Sequence, residues 1–191
     1  MQMEDERTIY PVFLYGSPVL RKVSKEIDRD FDGLKTLVDD MFETMYRADG
    51  MGLAAPQIGK SLRMFVVDAT SLKDEDASLE DFKKAFVNPE IIEEDGEDWT
   101  FNEGCLSIPQ IREDVVRKKR IRVKYYDENW NSHDEYFDSV KARIIQHETD
   151  HLNGVLFTDK VTPLKKKLLK SKLRDIAKGR VEVKYPVRTH K

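Results

Sequence analysis

The stretch from His147 to Phe157 reads His-Glu-Thr-Asp-His-Leu-Asn-Gly-Val-Leu-Phe, and it decides how the rest of the chain is interpreted. His147 and His151 are four residues apart, so on a helix their side chains lie on one face, one turn apart, and can share a metal ion. Glu148 lies beside that face, where a carboxylate can accept a proton from water instead of binding the metal. The pattern therefore predicts a helical metal site with a general base.

The residues around the motif predict the helix that such a site needs. Apolar and ligand side chains recur at helical spacing on one face. Ser139 is the predicted N-cap, and Asn153-Gly154 is the predicted stop signal. A chance His-Glu-x-x-His on a surface helix is the alternative, and it is disfavoured because the apolar stripe continues into both histidines. The positions on that face are Val140, Ile144, His147, Glu148 and His151.

The third ligand decides which chemistry the site performs. Metzincin proteases place a third histidine where this chain has Phe157. Thermolysin-like proteases use a downstream glutamate, and the only one here, Glu182, lies in a basic segment. Cys105 is the only cysteine, and its thiolate would bind zinc or ferrous iron and leave a fourth position open. A buried structural cysteine is the alternative. Less suited ligands are Asp159, Asp175, His133 and His190.

Three segments, in this order, resemble the peptide deformylase family. They are Gly50 to Gln57 (Gly-Met-Gly-Leu-Ala-Ala-Pro-Gln), Glu103 to Ser107 (Glu-Gly-Cys-Leu-Ser), and Gln146 to His151. The stretch from Gly16 to Arg21 also resembles the family's first segment. Together they span roughly residues 12 to 178, and three such segments in the right order are very specific.

The resemblance implies an activity: metal-dependent hydrolysis of the N-formyl group from the formyl-methionine terminus of nascent polypeptides, with release of formate. It implies one divalent ion on Cys105, His147 and His151, natively Fe²⁺, with Zn²⁺, Ni²⁺ or Co²⁺ as substitutes. Glu148 would move the proton, and the side chain of Gln57 and the backbone N–H of Leu106 would stabilise the oxyanion.

The resemblance also implies which residues contact the peptide. The peptide groove would be lined by Gly50, Gly52, Glu103, Gly104 and Arg112. The methionine pocket would be lined by Met51, Val140 and Ile144. Arg143 stands where many members of the family have an apolar residue.

The segment from Gly50 to Gln57 also resembles an unrelated motif. Gly50-x-Gly52-x-x-Ala55 matches the glycines of a dinucleotide-binding fingerprint, but that fingerprint follows a strand and opens a helix. Here a helical stripe precedes the glycines, and Pro56 and Gly59 leave no room for a crossover helix. We therefore predict that the glycines let backbone approach a ligand closely.

Composition predicts one globular domain over residues 1–191. The chain has 191 residues, of which 39% are hydrophobic, and this is enough for a sizeable core. We expect a flexible start at 1–8, a C-terminal helix at 163–179 and a basic tail at 180–191. The polar start and the lack of an apolar run of membrane-spanning length predict no membrane contact. The lone cysteine fits a reducing cytoplasm, and we expect a monomer.

The order of elements predicts an α+β fold like that of peptide deformylases. It would have small mixed or antiparallel sheets around a central metal-ligand helix, with an amphipathic C-terminal helix. Residues 71–83 are polar and charged, which predicts a surface insertion. The predicted elements are a helix from Leu34 to Met45, strands at Met64–Val67, Phe86–Ile92 and Ile121–Tyr125, and a turn at 127–129 leading to Tyr136-Phe137.

The C-terminal region is strongly basic. From Leu164 to Lys191 there are eleven Lys and Arg against two acidic residues, a charge of about +9 in a chain of net charge −3. Thr162 is the predicted N-cap and Pro163 the first helical residue. One face would carry Leu164, Leu168, Leu169, Leu173 and Ile176. The opposite face would carry Lys165, Lys166, Lys170, Lys172 and Arg174. This face is either solvated or bound to phosphates, and the resemblance implies docking on ribosomal RNA.

Two other functions stay open on the sequence. A peptidase with the same motif would need a third His or Glu ligand, which the chain does not supply at the usual positions. A non-catalytic ribosome-binding module would need neither Glu148 nor Gln57. The sequence therefore favours a metal-dependent amidase acting on formylated nascent peptides.

Overall fold

A five-stranded antiparallel sheet, ordered β2-β3-β4-β5-β6, organises the computed structural model, which describes residues 7–190. A second, parallel pair joins β1 to β7. The strands are β1 Val12–Phe13, β2 Gly52–Ala54, β3 Met64–Asp68, β4 Lys83–Cys105, β5 Ile108–Tyr126, β6 Ser132–Asp138 and β7 Val187–Arg188. The α-helices are α1 Leu34–Arg47, α2 Ser139–Leu152 and α3 Pro163–Ala177. The predicted α+β class is confirmed.

Strand β3 is packed between two helices. Phe65 and Val67 point into a core shared with α2, whereas Met64 and Val66 point into a core shared with α1. Successive strand side chains face opposite sides of a sheet, so a strand covered on both faces is apolar at every position. The first four residues of β3, Met64 to Val67, are all apolar because helices cover both faces of the strand.

The hairpin of β4 and β5 is much longer than predicted. The strands expected at Phe86–Ile92 and Ile121–Tyr125 continue through a charged ribbon that lacks apolar alternation. Opposite charges face each other across it, with Glu97 2.7 Å from Lys119 and Asp98 2.9 Å from Lys118. Such cross-strand pairs support a ladder without a buried face. At its tip, the ribbon delivers Cys105 to α2.

Helix α2 begins at Ser139, so the prediction of Ser139 as the N-cap is wrong by one residue. Asp138 holds the cap position in extended backbone geometry, without a side-chain capping hydrogen bond. The side chains of Ala142, Ile145 and Leu152 enter the core with Phe65 and Val67. This apolar side ties α2 to the sheet and leaves another side of the same helix, with His147 and His151, for the ligand cluster.

Helix α3 is two residues shorter than predicted, and its apolar face is narrower. It ends at Ala177, because Gly179 adopts a left-handed φ of +71°. Leu173 and Ile176 are buried, but Leu164 and Leu168 are 67% and 69% exposed. The predicted apolar face is therefore wrong at Leu164 and Leu168, whereas its other members, Leu169, Leu173 and Ile176, pack on a core cluster. The N-cap prediction is confirmed, because Thr162 Oγ1 accepts from the N–H of Lys165.

Other predicted segments are placed as follows. In the expected surface insertion at 71–83, Leu79 and Phe82 are buried in the core, so only its polar remainder lies at the surface. Residues 1–6 of the expected flexible start lie outside the described residues. Across residues 7–190, no helix has the length and apolar character needed to cross a bilayer.

Candidate metal centre and active site

Three potential metal ligands converge where β4 meets α2. Cys105 is the last residue of β4, and His147 and His151 project from α2 one turn apart. A ligand atom from each lies within 4.8 Å of the other two, and Cys105 Sγ is 3.3 Å from His151 Nε2. His133 is remote from them, in the β5–β6 hairpin, with Nε2 3.0 Å from Asp127. The structure therefore brings the predicted ligand set together.

Glu103 orients the first histidine. Its Oε2 lies 2.9 Å from His147 Nδ1, and because an ionised carboxylate only accepts, the ring N–H must donate. Nδ1 is thereby occupied and Nε2 is left for an ion. Glu103 also accepts from Arg117 Nε and Nη2, at 2.7 and 3.0 Å. Arg143 Nη1 donates to its Oε1 at 2.8 Å. The side chain of Glu103, which we expected to contact the peptide, is thus committed to other protein groups.

A second ion pair links this cluster to the solvent side of α2. Arg117 Nη1 donates to Asp150 at 2.6 Å, so the buried guanidinium bridges Glu103 and Asp150. Although burial disfavours the charged form, hydrogen bonds with His147 and Arg117 hold the pKa of the Glu103 carboxyl well below its usual range. Glu103 is therefore ionised at neutral pH.

The two histidines differ in their environment. Burial disfavours the charged form of His147, but hydrogen bonds with Cys105 and Glu103 outweigh it and raise the pKa of His147 well above its usual value. Burial lowers the pKa of His151 well below its usual value, and the nearby His147 and Arg117 act in the same direction. A neutral His151 presents a lone pair at Nε2, as a metal ligand must.

Glu148 is fully packed yet has an unsatisfied oxygen. Its Oε2 is buried and lacks a hydrogen-bond partner within residues 7–190. Burial raises the pKa of Glu148 to about 7. A Cβ on residue 52 would lie 2.4 Å from Glu148 Oε1, so any side chain at Gly52 would force this carboxylate to move. A group with a pKa near neutrality is suited to proton transfer.

The Gln57 amide is held in one orientation. Its Oε1 accepts from the N–H of Ala54 at 2.8 Å, so Nε2 must point the other way. Nε2 donates to Cys105 Sγ at 3.5 Å and to the Ser107 hydroxyl at 3.3 Å. The donor is thus aimed at the ligand cluster, as expected for a group that stabilises developing negative charge.

A cavity of about 400 Å³ opens onto these groups. Most of the residues predicted to contact substrate line it, while Val140 packs against the core cluster between α2 and the sheet. His151 lies behind the cavity wall, at 1% exposure. The predicted residues that line the cavity are Gly50, Met51, Gly52, Gln57, Glu103, Gly104, Cys105, Leu106, Arg112, Ile144, His147 and Glu148.

Arg143 is buried in the wall of this cavity. Only 3% of it is exposed, and it donates to Glu103, to the carbonyl of Val115 and to the carbonyl of Trp99. Its guanidinium also stacks over the rings of Trp99 and Phe101, with its Cζ 5.0 and 5.7 Å from the ring centroids. An arginine is accommodated at this position because Glu103 supplies the opposite charge.

Sequence reasoning missed two residues of the site. Arg117 lies in a ribbon where charged residues are frequent, so nothing in its spacing distinguishes it. Tyr185 lines the cavity from the basic tail, and its hydroxyl donates to the carbonyl of Leu106 at 2.8 Å. Burial raises the pKa of Tyr185 to about 12, so the hydroxyl keeps its proton at neutral pH.

The fold and this site are those of a metallohydrolase: a cluster of Cys, His and His that could hold a metal ion, a buried carboxylate and an open substrate cavity. Residues 9–167 match the family model described as polypeptide deformylase. The chain is 50% identical over 187 residues to a peptide deformylase of Christiangramia forsetii, covering 94% of this chain and 95% of the relative. It is also 50% identical over 184 residues to that of Flavobacterium psychrophilum, covering 93% and 95%.

Solved structures agree with this result. The peptide deformylase of Thermus thermophilus superposes with a TM-score of 0.80 at 38% identity, covering 91% of this chain and 100% of that one. The enzyme of Legionella pneumophila gives a TM-score of 0.79 at 38% identity, covering 91% and 98%. The chain belongs to the peptide deformylase family. Its reaction is the hydrolysis of the N-formyl group from nascent polypeptides, and the family is one of metalloenzymes.

Proposed function

We propose that Cys105, His147 and His151 hold the single catalytic divalent ion of this deformylase. Two observations support the fit: the convergence of one sulfur and two ring nitrogens, and the use of His147 Nδ1 by Glu103, which leaves Nε2 of that ring for the ion. When bound, the ion supplies Lewis-acid polarisation and lowers the pKa of a water. Three protein ligands beside an open cavity leave a position for substrate chemistry.

Glu148 transfers the proton, and Gln57 and Leu106 stabilise the negative charge. Glu148 accepts a proton from the attacking water through its unpartnered Oε2 and then gives it to the departing amine. The Gln57 Nε2 and the backbone N–H of Leu106 donate to the oxygen of the formyl group as it gains negative charge. The unpartnered Glu148 carboxylate in the same cavity as the Cys-His-His set is the observation that carries this proposal.

The peptide occupies the groove formed by the glycine segment and the end of β4. Gly50, Gly52 and Gly104 let its backbone approach closely, and Arg112 lies beside Gly104 at the rim. The methionine side chain enters between Met51 and Ile144. Glu103 acts here by holding His147 and Arg143 rather than by touching the peptide.

Turnover of two matched peptides tests this function. Protein purified without oxygen and analysed for metal should release formate from formyl-Met-Ala, while acetyl-Met-Ala should react far more slowly because its extra methyl group meets the packed centre. Metal removal by a chelator should abolish the release, and adding a divalent metal should restore it. Formate release that survives complete metal removal would contradict the assignment.

We propose Fe²⁺ as the native ion. Ferrous iron on a thiolate at an open site reacts with oxygen or peroxide, which threatens both the metal and Cys105. Aerobic purification should therefore lower activity, and Ni²⁺ or Co²⁺ substitution should protect it. Full activity after long exposure to air, with zinc found by metal analysis, would point to Zn²⁺ instead.

We propose that the basic face of α3 docks on ribosomal RNA. Lys166, Lys170 and Arg174 are exposed, whereas Lys165 contacts Glu113 and Lys172 contacts the Gln110 carbonyl.

Reversing the charge of Lys166, Lys170 and Arg174 should weaken co-sedimentation with ribosomes. The association of the wild-type protein with ribosomes should also fall steeply with added salt. Turnover of formyl-Met-Ala should not change, since these side chains do not line the cavity. Equal sedimentation of wild type and variant at low salt would refute the docking.

We infer a cytoplasmic monomer that acts on formylated nascent peptides. The large exposed apolar side chains, such as Val23, Tyr136 and Leu168, are spread over different elements, which does not favour a large permanent interface. Sedimentation equilibrium at micromolar concentration should give a mass near 22.3 kDa. A stable mass of twice that value would contradict the inference.

A further inference from the structure

The segment after α3 is anchored on both sides of Tyr185. Beyond it, β7 pairs in parallel with β1, where the N–H of Val12 donates to the Pro186 carbonyl at 2.9 Å. Before it, Gln110 Nε2 donates to the Glu182 carbonyl at 3.0 Å. Val181 and Val187 pack against the adjacent core cluster. Tyr185 is therefore held over the cavity by a segment with its own backbone and apolar contacts.

Tyr185 contacts the turn that contains the proposed oxyanion donor. Its hydroxyl donates to the carbonyl of Leu106, and its side chain lines the same cavity as Cys105 and His147. The opposite side of the same turn is held at Ser107, whose carbonyl accepts from the N–H of Tyr15 at 2.8 Å. In the two-residue turn between β4 and β5, Leu106 packs against the core cluster of α1 and Ser107 is fully buried, and these hydrogen bonds fix how the peptide groups of the turn are oriented.

The orientation of this turn matters for catalysis. A backbone N–H stabilises a developing oxyanion only if it is already aimed at that oxygen, because reorganising the donor during the reaction consumes the gain. Fixing the Leu106 carbonyl limits rotation about the Leu106 backbone and therefore limits the direction of its N–H.

We propose that Tyr185 is a positioning residue for deformylation: its hydroxyl fixes the Leu106–Ser107 peptide so that the N–H of Leu106 faces the formyl oxygen. The inference rests on the proposed role of Leu106. With this role for Tyr185, the segment after α3 contributes to catalysis as well as to the fold. Since the hydrogen bond acts on the transition state through Leu106, its loss should lower kcat and leave KM unchanged.

Tyr185→Phe tests the proposal, because it removes the hydroxyl and keeps the ring. With formyl-Met-Ala, kcat should fall roughly 2- to 10-fold, as expected for one neutral hydrogen bond, at unchanged KM and metal content. The matched control is Tyr125→Phe. It removes a hydroxyl that donates to Glu135 at 2.7 Å in the core between α2 and the sheet, outside the cavity. This control should leave kcat and KM unchanged even if it lowers the melting temperature.

Each other outcome overturns the proposal. Unchanged kcat in Tyr185→Phe would remove the positioning role, and a rise in KM alone would make the hydroxyl a peptide-binding group. Loss of metal would assign the effect to Cys105 instead. Gln57→Ala distinguishes failure of this inference from failure of the proposed function. If Gln57→Ala lowers kcat while Tyr185→Phe does not, the proposed function stands and the inference on Tyr185 fails. A metal-loaded wild type that leaves formyl-Met-Ala intact would instead refute the proposed function.

Discussion

Replacing Glu103 by Gln should destabilise the protein strongly, although the two side chains have nearly the same shape. Every contact of this carboxylate comes from a donor: two from Arg117, one from Arg143 and one from His147. A glutamine offers one acceptor oxygen and one NH₂ group, so the NH₂ group must face a donor. At least one buried guanidinium then loses its counter-charge.

The expected loss follows from the burial of these groups. Glu103, Arg117 and Arg143 have side chains that are only 3–5% exposed. Leaving one partner of a buried ion pair uncompensated costs about 3–5 kcal/mol. For a chain of this size, that loss corresponds to a fall in melting temperature of roughly 6–20 °C. Loss of the group that orients His147 should also weaken metal affinity about 10- to 100-fold.

Urea unfolding in the presence of a chelator measures the change in the free energy of unfolding caused by Glu103→Gln, without a contribution from metal binding. Glu97→Gln is the control, because it removes one carboxylate from an exposed ion pair with Lys119 on the ribbon, and its midpoint should stay near that of wild type. A Glu103→Gln midpoint equal to that of wild type would refute the reasoning.

The same comparison has a pH dependence. The pKa of the Glu103 carboxyl is depressed in the folded state, so its stabilisation is fully present above the unfolded pKa of about 4.3. The stabilisation is lost as the pH falls through the lower, folded-state pKa. The difference in free energy of unfolding between wild type and Glu103→Gln should therefore persist from pH 7 to about 5 and shrink at more acidic pH.

The remaining predictions concern the ligands, the base and the C-terminal helix. Cys105→Ala should lose most of its metal by elemental analysis, while His133→Ala keeps it; equal metal content in Cys105→Ala and wild type would exclude the thiolate as a ligand. Glu148→Ala should keep its metal but lose on the order of 10²–10⁴ in kcat, and loss of metal would make Glu148 a ligand instead. Leu173→Asp should lower the free energy of unfolding by about 3 kcal/mol or more, because it buries a charge. Leu168→Asp, on the exposed side of α3, should change it little, and equal losses in urea unfolding would contradict the packing described for this helix.

Local spacing was sufficient for the helix that carries the two histidines and for the start of β3. The histidines of α2 lie on one face because four residues are about one helical turn, and the start of β3 is apolar throughout because helices cover both faces of the strand. Element boundaries were less predictable. The β4–β5 ribbon has charged pairs in place of apolar alternation, and α3 ends where Gly179 adopts a positive φ.

By itself, the sequence identified the histidine pair, the carboxylate between them, Cys105 as the leading candidate for the third ligand, and the family. These follow from spacing within an element or from short motifs, which depend on local geometry. Only the tertiary structure decided that Arg117 holds Glu103, that Leu168 is exposed, and that Tyr185 reaches Leu106, 79 residues earlier in the chain. Contacts of this kind depend on how separate elements pack, and periodicity within one element specifies which side chains share a face but not what that face meets.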